Sequence, residues 1–341
     1  MTKQIAMTSV DHPVSRELPQ SEIEKRLGAK TQTKHKAPTA SEATHTITAP
    51  ADGIYPDMPA VDYRATHALN ASSLRYALQS LYHFKYHYEA PPSPPTPAMR
   101  LGTMVHTAIL EPEEFEWRYA PGPINPKTGE PFGTNTNAFR DAEAEAGDGV
   151  TLVCKGELER LAAIRLAAWD HSESRAALHE LTHTEASVFW TNTGWKCKGR
   201  PDGVREGADG YILDVKTISR LNQRNMRNRL WDHGYDISAA WYQMGWKALT
   251  GDMLPVYLLF VETVAPYDVA LLAIDQDTMA VGAQRALTLF GAVREAKETN
   301  QWPGIEASFP GREIGAPSWA IESAQSGMIP AEEITEDQNP F

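Results

Sequence analysis

Two aspartates and a lysine lie within one short segment, RPDGVREGADGYILDVKT, which spans residues 200–217. Alternating apolar residues on both sides of the Gly- and Asp-rich stretch EGADG predict two antiparallel strands joined by a turn. Asp214 and Lys216 are two positions apart, so their side chains share one face of the second strand. Asp202 belongs to the first strand. The hairpin therefore carries charges where a buried core would be expected.

Pairing of Arg205 with Tyr211 would set Asp202 opposite Asp214, with Cβ atoms about 5 Å apart. Opposed like charges destabilise a sheet, but a divalent cation reverses that effect, because Mg²⁺ prefers oxygen ligands and retains several waters. The Lys216 ammonium could then orient a water or stabilise charge on a phosphate. This equipment suits metal-assisted hydrolysis of a phosphodiester. The alternative is a simple Pro-Asp-Gly turn followed by solvated charges on an exposed strand.

Composition limits the other function classes. The chain has 341 residues, of which 42% are apolar and 22% charged, and no apolar run approaches the length of a membrane span. We expect a cytoplasmic protein, because the N-terminus lacks an apolar signal region and only Cys154 and Cys197 occur. Two cysteines are too few for a four-cysteine iron–sulfur cluster. The net charge of −12 argues against a general nucleic-acid binder but permits a local basic groove.

The order of predicted elements indicates an α/β fold with a central mixed sheet flanked by helices. Strands are predicted over 184–192, 195–204, 211–217, 256–262 and 268–274. Helices are predicted over 69–90, 99–112, 155–181, 236–249 and 277–298, with a long loop over 120–150. We expect residues 1–55 to be disordered, because they are rich in Thr, Ser, Ala, Lys and Pro. Residues 301–341 would form an extension that ends in an acidic tail.

Several motifs resemble the PD-(D/E)XK nuclease superfamily, and in particular its RecE-type group, typified by exodeoxyribonuclease VIII. RPDG followed by LDVKT resembles the core signature of an acid at a strand end and acid-any-Lys on the next strand. The further matching motifs are LNASSLRYALQSLYHF, LGTMVHTAILEPEEF, EASVFW, CKGRPD and YDISAAWYQMG. The resemblance covers roughly residues 65–275. It implies a restriction-endonuclease-like fold, with an exonuclease domain over 60–300.

The resemblance also implies site residues. The implied metal ligands are His106, Asp202, Asp214 and the backbone carbonyl of Val215. The implied catalytic set is Asp202, Asp214, Lys216, Glu185 and Tyr242. By its residue type alone, His106 would more often be a partly buried core histidine, Glu185 a strand-edge charge and Tyr242 a core aromatic.

One motif departs from the family pattern. The group carries Gln-x-x-x-Tyr on the helix after the catalytic strand, and here Ser238 stands four residues before Tyr242, where the glutamine would be. Gln243 follows the tyrosine by one position. This departure affects the contact that the helix would make with DNA or with the active site.

Two basic stretches are candidates for DNA contact. The first, SRLNQRNMRNRLW (219–231), provides Arg220, Arg224, Arg227 and Arg229, whose spacing on a helix suits a grip on phosphates. The second includes Arg75, with Tyr76, Tyr82, Lys85 and Tyr86, and its aromatic residues could stack on an unpaired DNA end. The alternative for both is a solvated helix face.

The function that the resemblance implies is a Mg²⁺-dependent exodeoxyribonuclease, in which Mn²⁺ could substitute. It would resect double-stranded DNA ends and supply single strands to a single-strand annealing protein in recombination. A homo-oligomer is implied in the same way, and no membrane is expected. The alternatives are a catalytically inert DNA-binding protein of the same fold and a structure-specific endonuclease.

Overall fold

A computed structural model describes residues 47–90, 94–147, 149–309, 311 and 313–326. The helices in these ranges are α1 (Ala60–Ala65), α2 (Ala71–Tyr76), α3 (Leu81–Glu89), α4 (Pro97–Leu110), α5 (Pro112–Arg118), α6 (Asn137–Glu145), α7 (Lys155–Asp170), α8 (Ser172–His179), α9 (Gln223–Asp232), α10 (Tyr235–Thr250), α11 (Gln276–Thr299) and α12 (Ser318–Gln325). The strands are β1 (Ile47–Thr48), β2 (Gly53–Tyr55), β3 (Thr66–His67), β4 (Tyr119–Pro121), β5 (Thr151–Val153), β6 (His183–Thr184), β7 (Ser187–Asn192), β8 (Trp195–Gly199), β9 (Gly203–Arg205), β10 (Tyr211–Ile218), β11 (Val256–Glu262) and β12 (Val269–Ala273).

The central sheet is mixed and lies between two helical layers. Its strand order is β12-β11-β10-β9-β6, and β10 runs parallel to β11 while the other neighbours are antiparallel. Leu213 and Val215 of β10 belong to an apolar cluster with residues of α4 and α7. Ile212 belongs to a second cluster, to which α10 and α11 contribute. The predicted α/β architecture is therefore confirmed.

The hairpin β9–β10 has the predicted register, because Tyr211 pairs with Arg205. The ladder extends only to the pair Leu213–Gly203, so Asp202 lies just beyond its end. Pro201, which has no N–H group, immediately precedes it. Asp202 therefore does not face Asp214 across a continuous ladder, and it reaches β10 through its side chain instead.

The strand predicted over 195–204 is wrong as a single unit. It is divided at residues 200–202 into β8 and β9, and these two strands belong to different sheets. β8 pairs with β7 in a smaller sheet of order β2-β7-β8. Thr193 and Gly194, with φ of 45° and 83°, form the tight turn between β7 and β8 that the Thr-Gly pair predicts.

The predicted boundary of the disordered N-terminal segment at residue 55 is wrong for its last part. Strands β1 and β2 lie within residues 47–55, and β2 pairs with β7. The Asp52 carboxylate also accepts hydrogen bonds from Lys196 Nζ at 2.6 Å and from Thr191 Oγ1 at 2.9 Å. These contacts fix the segment to the smaller sheet. The prediction for residues 1–46 lies outside the described residues, as does that for the acidic tail.

Three further predictions differ from the structure. The segment 120–150 is not entirely loop, because α6 lies within it, capped by Thr136 and anchored by the buried Phe139. At the C-terminal end, Trp302 stacks on Phe84 of α3, so the packed core continues past residue 300. The predicted helix over 69–90 is interrupted, since Ser80 caps a new helix at that position.

Candidate active site

Asp202 is held by contacts to both carboxylate oxygens. Its Oδ2 accepts a hydrogen bond from the backbone N–H of Val215 at 2.5 Å, and its Oδ1 lies 3.4 Å from His106 Nδ1. Burial raises the pKa of Asp202, but the charge and hydrogen bond of His106 and the charge of Lys216 outweigh this and lower it to about 2. The carboxylate is therefore ionised at neutral pH. Burial likewise opposes the charged form of His106, but Asp202 raises its pKa to about 8.

Asp214 and Lys216 form an ion pair on the same face of β10, as their spacing predicts. Only 2% of the Asp214 surface is exposed, and burial together with the Asp202 charge raises its pKa to about 6, against the opposing effect of Lys216. The Lys216 ammonium also lies 5.0 Å from the centre of the Tyr235 ring. The Lys216 ammonium thus lies between the Asp214 carboxylate and the Tyr235 ring, near Asp202.

Three potential metal ligands converge at this end of the hairpin. One ligand atom from each of His106, Glu185 and Asp202 lies within 4.8 Å of the other two. His106 is provided by α4, and Gly102, one turn earlier, lies beside Thr217 of β10. Glu185 has a φ of 53°, an uncommon value for a residue with a side chain. The predicted ligands His106 and Asp202 are thus grouped with Glu185, while Asp214 is outside this group and pairs with Lys216.

Arg200 positions Glu185, a role that the sequence motifs did not predict. Its Nε donates to Glu185 Oε2 at 2.8 Å, and its Nη1 donates to Ser187 Oγ at 2.5 Å and to the Met58 carbonyl at 3.0 Å. Burial and the Asp202 charge raise the pKa of Glu185 to about 7, and Arg200 opposes that rise. The only sequence signal was the place of Arg200 directly before Pro201-Asp202.

The donor set fits a hard divalent cation. Carboxylate oxygens suit Mg²⁺ and Mn²⁺, and an imidazole nitrogen is compatible with the latter in particular. Burial, together with the charge of Asp202, raises the pKa values of Glu185 and Asp214, so the ionised forms of these acids are disfavoured here. A positive charge among them would remove this cost. The residues present are therefore suited to hold such an ion.

Tyr242 and its neighbours on α10 lie against the strands rather than on a free surface. The Tyr242 ring packs closely on Gly199, where an added Cβ would be 3.1 Å from the ring. Burial raises the pKa of Tyr242 well above its usual value, with further contributions from Asp214 and Asp202. Ser238 Oγ donates to the Gly234 carbonyl at 3.3 Å, and Gln243 Nε2 donates to the Leu254 carbonyl at 2.7 Å. Neither polar residue takes the place of the missing glutamine.

The predicted DNA-contact arginines differ in their surroundings. Arg220, Arg224 and Arg227 are exposed, the last two on α9. Arg75 is half-buried, and its Nη1 donates to the His233 carbonyl at 2.7 Å. This bond ties α2 to the end of α9, which gives Arg75 a structural role beside the predicted contact with DNA.

The sequence of residues 79–307 matches the model of a protein family described as a PDDEXK-like domain of unknown function (DUF3799). The chain belongs to this family. Membership confirms the restriction-endonuclease-like fold and the PD-(D/E)XK superfamily, whose nucleases generally depend on a divalent metal. No curated protein matches the chain at a significant level.

Two solved structures resemble this DUF3799 member. One is a "Putative exonuclease" from Eubacterium rectale, which is 12% identical. The alignment covers 80% of this chain and 99% of the exonuclease, with a TM-score of 0.52. This likeness supports the fold. The other is SSO0001, which is 16% identical over an alignment of 50% of this chain and 71% of SSO0001. Its TM-score of 0.24 is too low to support a shared fold. Within the described residues, none of the helices has both the length and the apolar character needed to cross a membrane.

Proposed function

We propose that this DUF3799 protein is a Mg²⁺-dependent exodeoxyribonuclease of the RecE type. The observation that carries the proposal is the convergence of Asp202, Asp214 and Lys216 on one hairpin, beside His106 and Glu185. Two acids and a lysine in this arrangement are typical of phosphodiester hydrolysis. The sequence motifs that resemble the RecE-type group favour an exonuclease over other members of the superfamily.

The side chains have distinct roles in the proposed reaction. His106, Glu185 and Asp202 would hold the cation, and Asp214 and the Val215 carbonyl would complete its surroundings. Bound Mg²⁺ would lower the pKa of a coordinated water and offset charge on the phosphate. The Val215 N–H fixes the orientation of Asp202. The Lys216 ammonium would donate a hydrogen bond to the attacking water or to a phosphate oxygen, and in this way would stabilise developing negative charge. Tyr242 would border the site from α10.

The proposed substrate is the end of double-stranded DNA. The exposed Arg220, Arg224 and Arg227 follow directly after β10, so phosphates bound by them would lie near the site. The resected strand would pass to a single-strand annealing protein. A homo-oligomer is part of the same proposal.

Digestion of end-labelled linear duplex and of closed-circular duplex, each with Mg²⁺ or EDTA, tests this function. We expect loss of label from linear DNA with Mg²⁺ only, and loss of this activity in Asp214→Asn and Lys216→Met. Asp209→Asn, in the exposed turn of the same hairpin, is the matched control and should remain active. Cleavage of the closed circle would indicate an endonuclease, and binding without cleavage would indicate an inert DNA-binding protein.

A further inference from the structure

A continuous series of aromatic and basic side chains leads away from Lys216. The ammonium of Lys216 lies over the ring of Tyr235, whose centre is 5.0 Å away. The Tyr235 ring in turn stacks on His233, with centres 5.6 Å apart and an interplanar angle of 21°. His233 is exposed at the end of α9. The proposed active site is therefore connected to the protein surface through stacked rings.

The series continues onto α2 and α3. Arg75 donates to the His233 carbonyl, and the next residue, Tyr76, stacks on His87 with centres 3.8 Å apart and an angle of 14°. His87 meets Tyr86 edge to face at 5.2 Å. We name these six residues the aromatic path, and its members are Tyr235, His233, Arg75, Tyr76, His87 and Tyr86.

Among the described residues, packing into the core does not account for the exposed rings at the outer end of the path. Helix α3 already has an apolar inner face, where the buried Phe84 stacks on Tyr88. Its opposite face carries Tyr82 and Tyr86, which are 59% and 64% exposed. One apolar face is enough to anchor a helix to a core. Large rings on the second face therefore indicate a binding surface.

Charge along the path is complementary to a nucleic acid. Helix α9, which ends at the path, carries Arg224, Arg227 and Arg229 against a single acid, Asp232. Arg75 adds a further guanidinium, and α3 carries Lys85 against one acid, Glu89. On a protein with a net charge of −12, a basic region of this kind is a marked local exception. Arginines beside stacked rings suit the phosphates and bases of one strand.

We propose that the aromatic path binds an unpaired DNA strand that leaves or enters the nuclease site. The inference rests on the proposed function and adds a route for one strand. Paired bases are stacked within the duplex and cannot stack on protein rings, so the path would bind single-stranded and not double-stranded DNA. Its inner member, Tyr235, lies against Lys216, so the strand would lie next to the scissile phosphate.

Binding of two DNA probes to the full chain tests the path. The probes are a blunt duplex and the same duplex with an unpaired tail of about ten nucleotides, within the site size of common single-strand binders. Fluorescence anisotropy in an Asp214→Asn background measures affinity without cleavage. We expect the wild-type path to prefer the tailed probe. Tyr86→Ala should weaken tailed-probe binding by about fivefold or more, the scale of one lost base–aromatic stack, and leave blunt-duplex binding unchanged.

The controls separate stacking from folding. Tyr86→Phe keeps the ring and should keep the affinity. Tyr82→Ala removes the exposed ring beside Tyr86 on the same face of α3 and should also weaken tailed-probe binding. Leu272→Ala removes an exposed apolar side chain on β12 and should change neither probe. Unchanged melting temperatures establish that the variants fold.

The outcomes are distinguishable. If the parent binds both probes and Tyr86→Ala matches Leu272→Ala, the aromatic path is wrong and the nuclease proposal stands. Equal losses on both probes would mean that Tyr86 contacts duplex DNA, which also overturns the path. If the parent binds neither probe, the proposed function fails together with the inference.

Discussion

The Asp202 carboxylate accepts a hydrogen bond from the backbone N–H of Val215 at the point where the β9–β10 ladder ends. A backbone carbonyl would normally accept this N–H if β9 continued. The side chain replaces that partner, so Asp202 is fixed in position by the strand that carries Asp214.

Asp202→Asn and Asp202→Ala should separate the structural from the chemical part of this arrangement. We expect both to reduce DNA hydrolysis by about 100-fold or more, the scale for removing one electrostatic group from an active site. Asparagine can still accept the Val215 N–H, so it should lose only the charge interactions with His106 and Lys216 that lower the Asp202 pKa. Alanine also leaves the buried N–H unpaired and should lose about 1–3 kcal/mol more than asparagine. Equal stability of the two variants in thermal denaturation would contradict this role.

Lys216→Met should reduce the rate of single-turnover cleavage without a matching loss of DNA affinity. The ammonium contacts Asp214 and faces the site, so its loss removes transition-state stabilisation and not the exposed phosphate contacts. Lys216→Arg should not restore the rate, because the planar guanidinium has a different donor geometry. Lys247→Met, on the exposed side of α10, is the control. A rate for Lys216→Met equal to that of the control would remove the catalytic role.

Arg200→Met should weaken binding of the divalent ion. Arg200 holds the Glu185 carboxylate, and groups that orient a ligand typically change metal affinity by about 10- to 100-fold when they are lost. Calorimetric titration with Mn²⁺ measures this directly. Ser187→Ala removes another partner of Arg200 but leaves its bond to Glu185, and it should retain near-normal affinity. An unchanged Mn²⁺ affinity in Arg200→Met would show that Glu185 is not a ligand held by Arg200.

The sequence predicts the local features of this site well. Alternation and the EGADG turn set the Arg205–Tyr211 register, and spacing alone places Asp214 with Lys216. The same rules apply to any hairpin, since register follows from the turn and the apolar pattern.

These local rules do not predict contacts between residues that are distant in the sequence. The Pro-Asp-Gly sequence at residues 201–203 is compatible with a turn, but nothing local shows that β8 and β9 belong to different sheets. The pairing of Arg200 with Glu185 spans 15 residues, and the bond from Arg75 to His233 spans 158. Such contacts depend on how distant elements pack. Motif resemblance suggested His106, which α4 indeed places beside Asp202.

The exposed arginines of α9 should contribute to DNA affinity through phosphate contacts. Arg224→Gln and Arg227→Gln should each weaken duplex binding to a similar degree for all sequences. The slope of log K against log salt concentration should fall by about 0.9 for each lost contact. Arg175→Gln, an exposed arginine on α8, is the matched control. Salt slopes identical to that of Arg175→Gln would contradict a phosphate grip by α9.

Lys198 provides a further link between the N-terminal residues and the smaller sheet. It is only 3% exposed, and its Nζ donates to the carbonyls of Tyr63 and Thr66, each at 2.7 Å. Its Nζ also lies 4.6 Å from the centre of the Tyr63 ring. Burial lowers the pKa of Lys198 to about 8. A neutral amine has two N–H groups, which is enough for both carbonyls.

This lowered pKa predicts that the stabilising effect of Lys198 increases with pH. Between pH 8 and 10.5 the unfolded chain holds a proton on Lys198 that the folded chain has released, so the free energy of unfolding should rise. Comparison of the wild type with Lys198→Met cancels the other titrating groups. Between pH 7 and 9.5 the difference should move in favour of the wild type by about 2 kcal/mol. Urea denaturation measures it, and a difference independent of pH would mean that Lys198 stays charged in the folded protein.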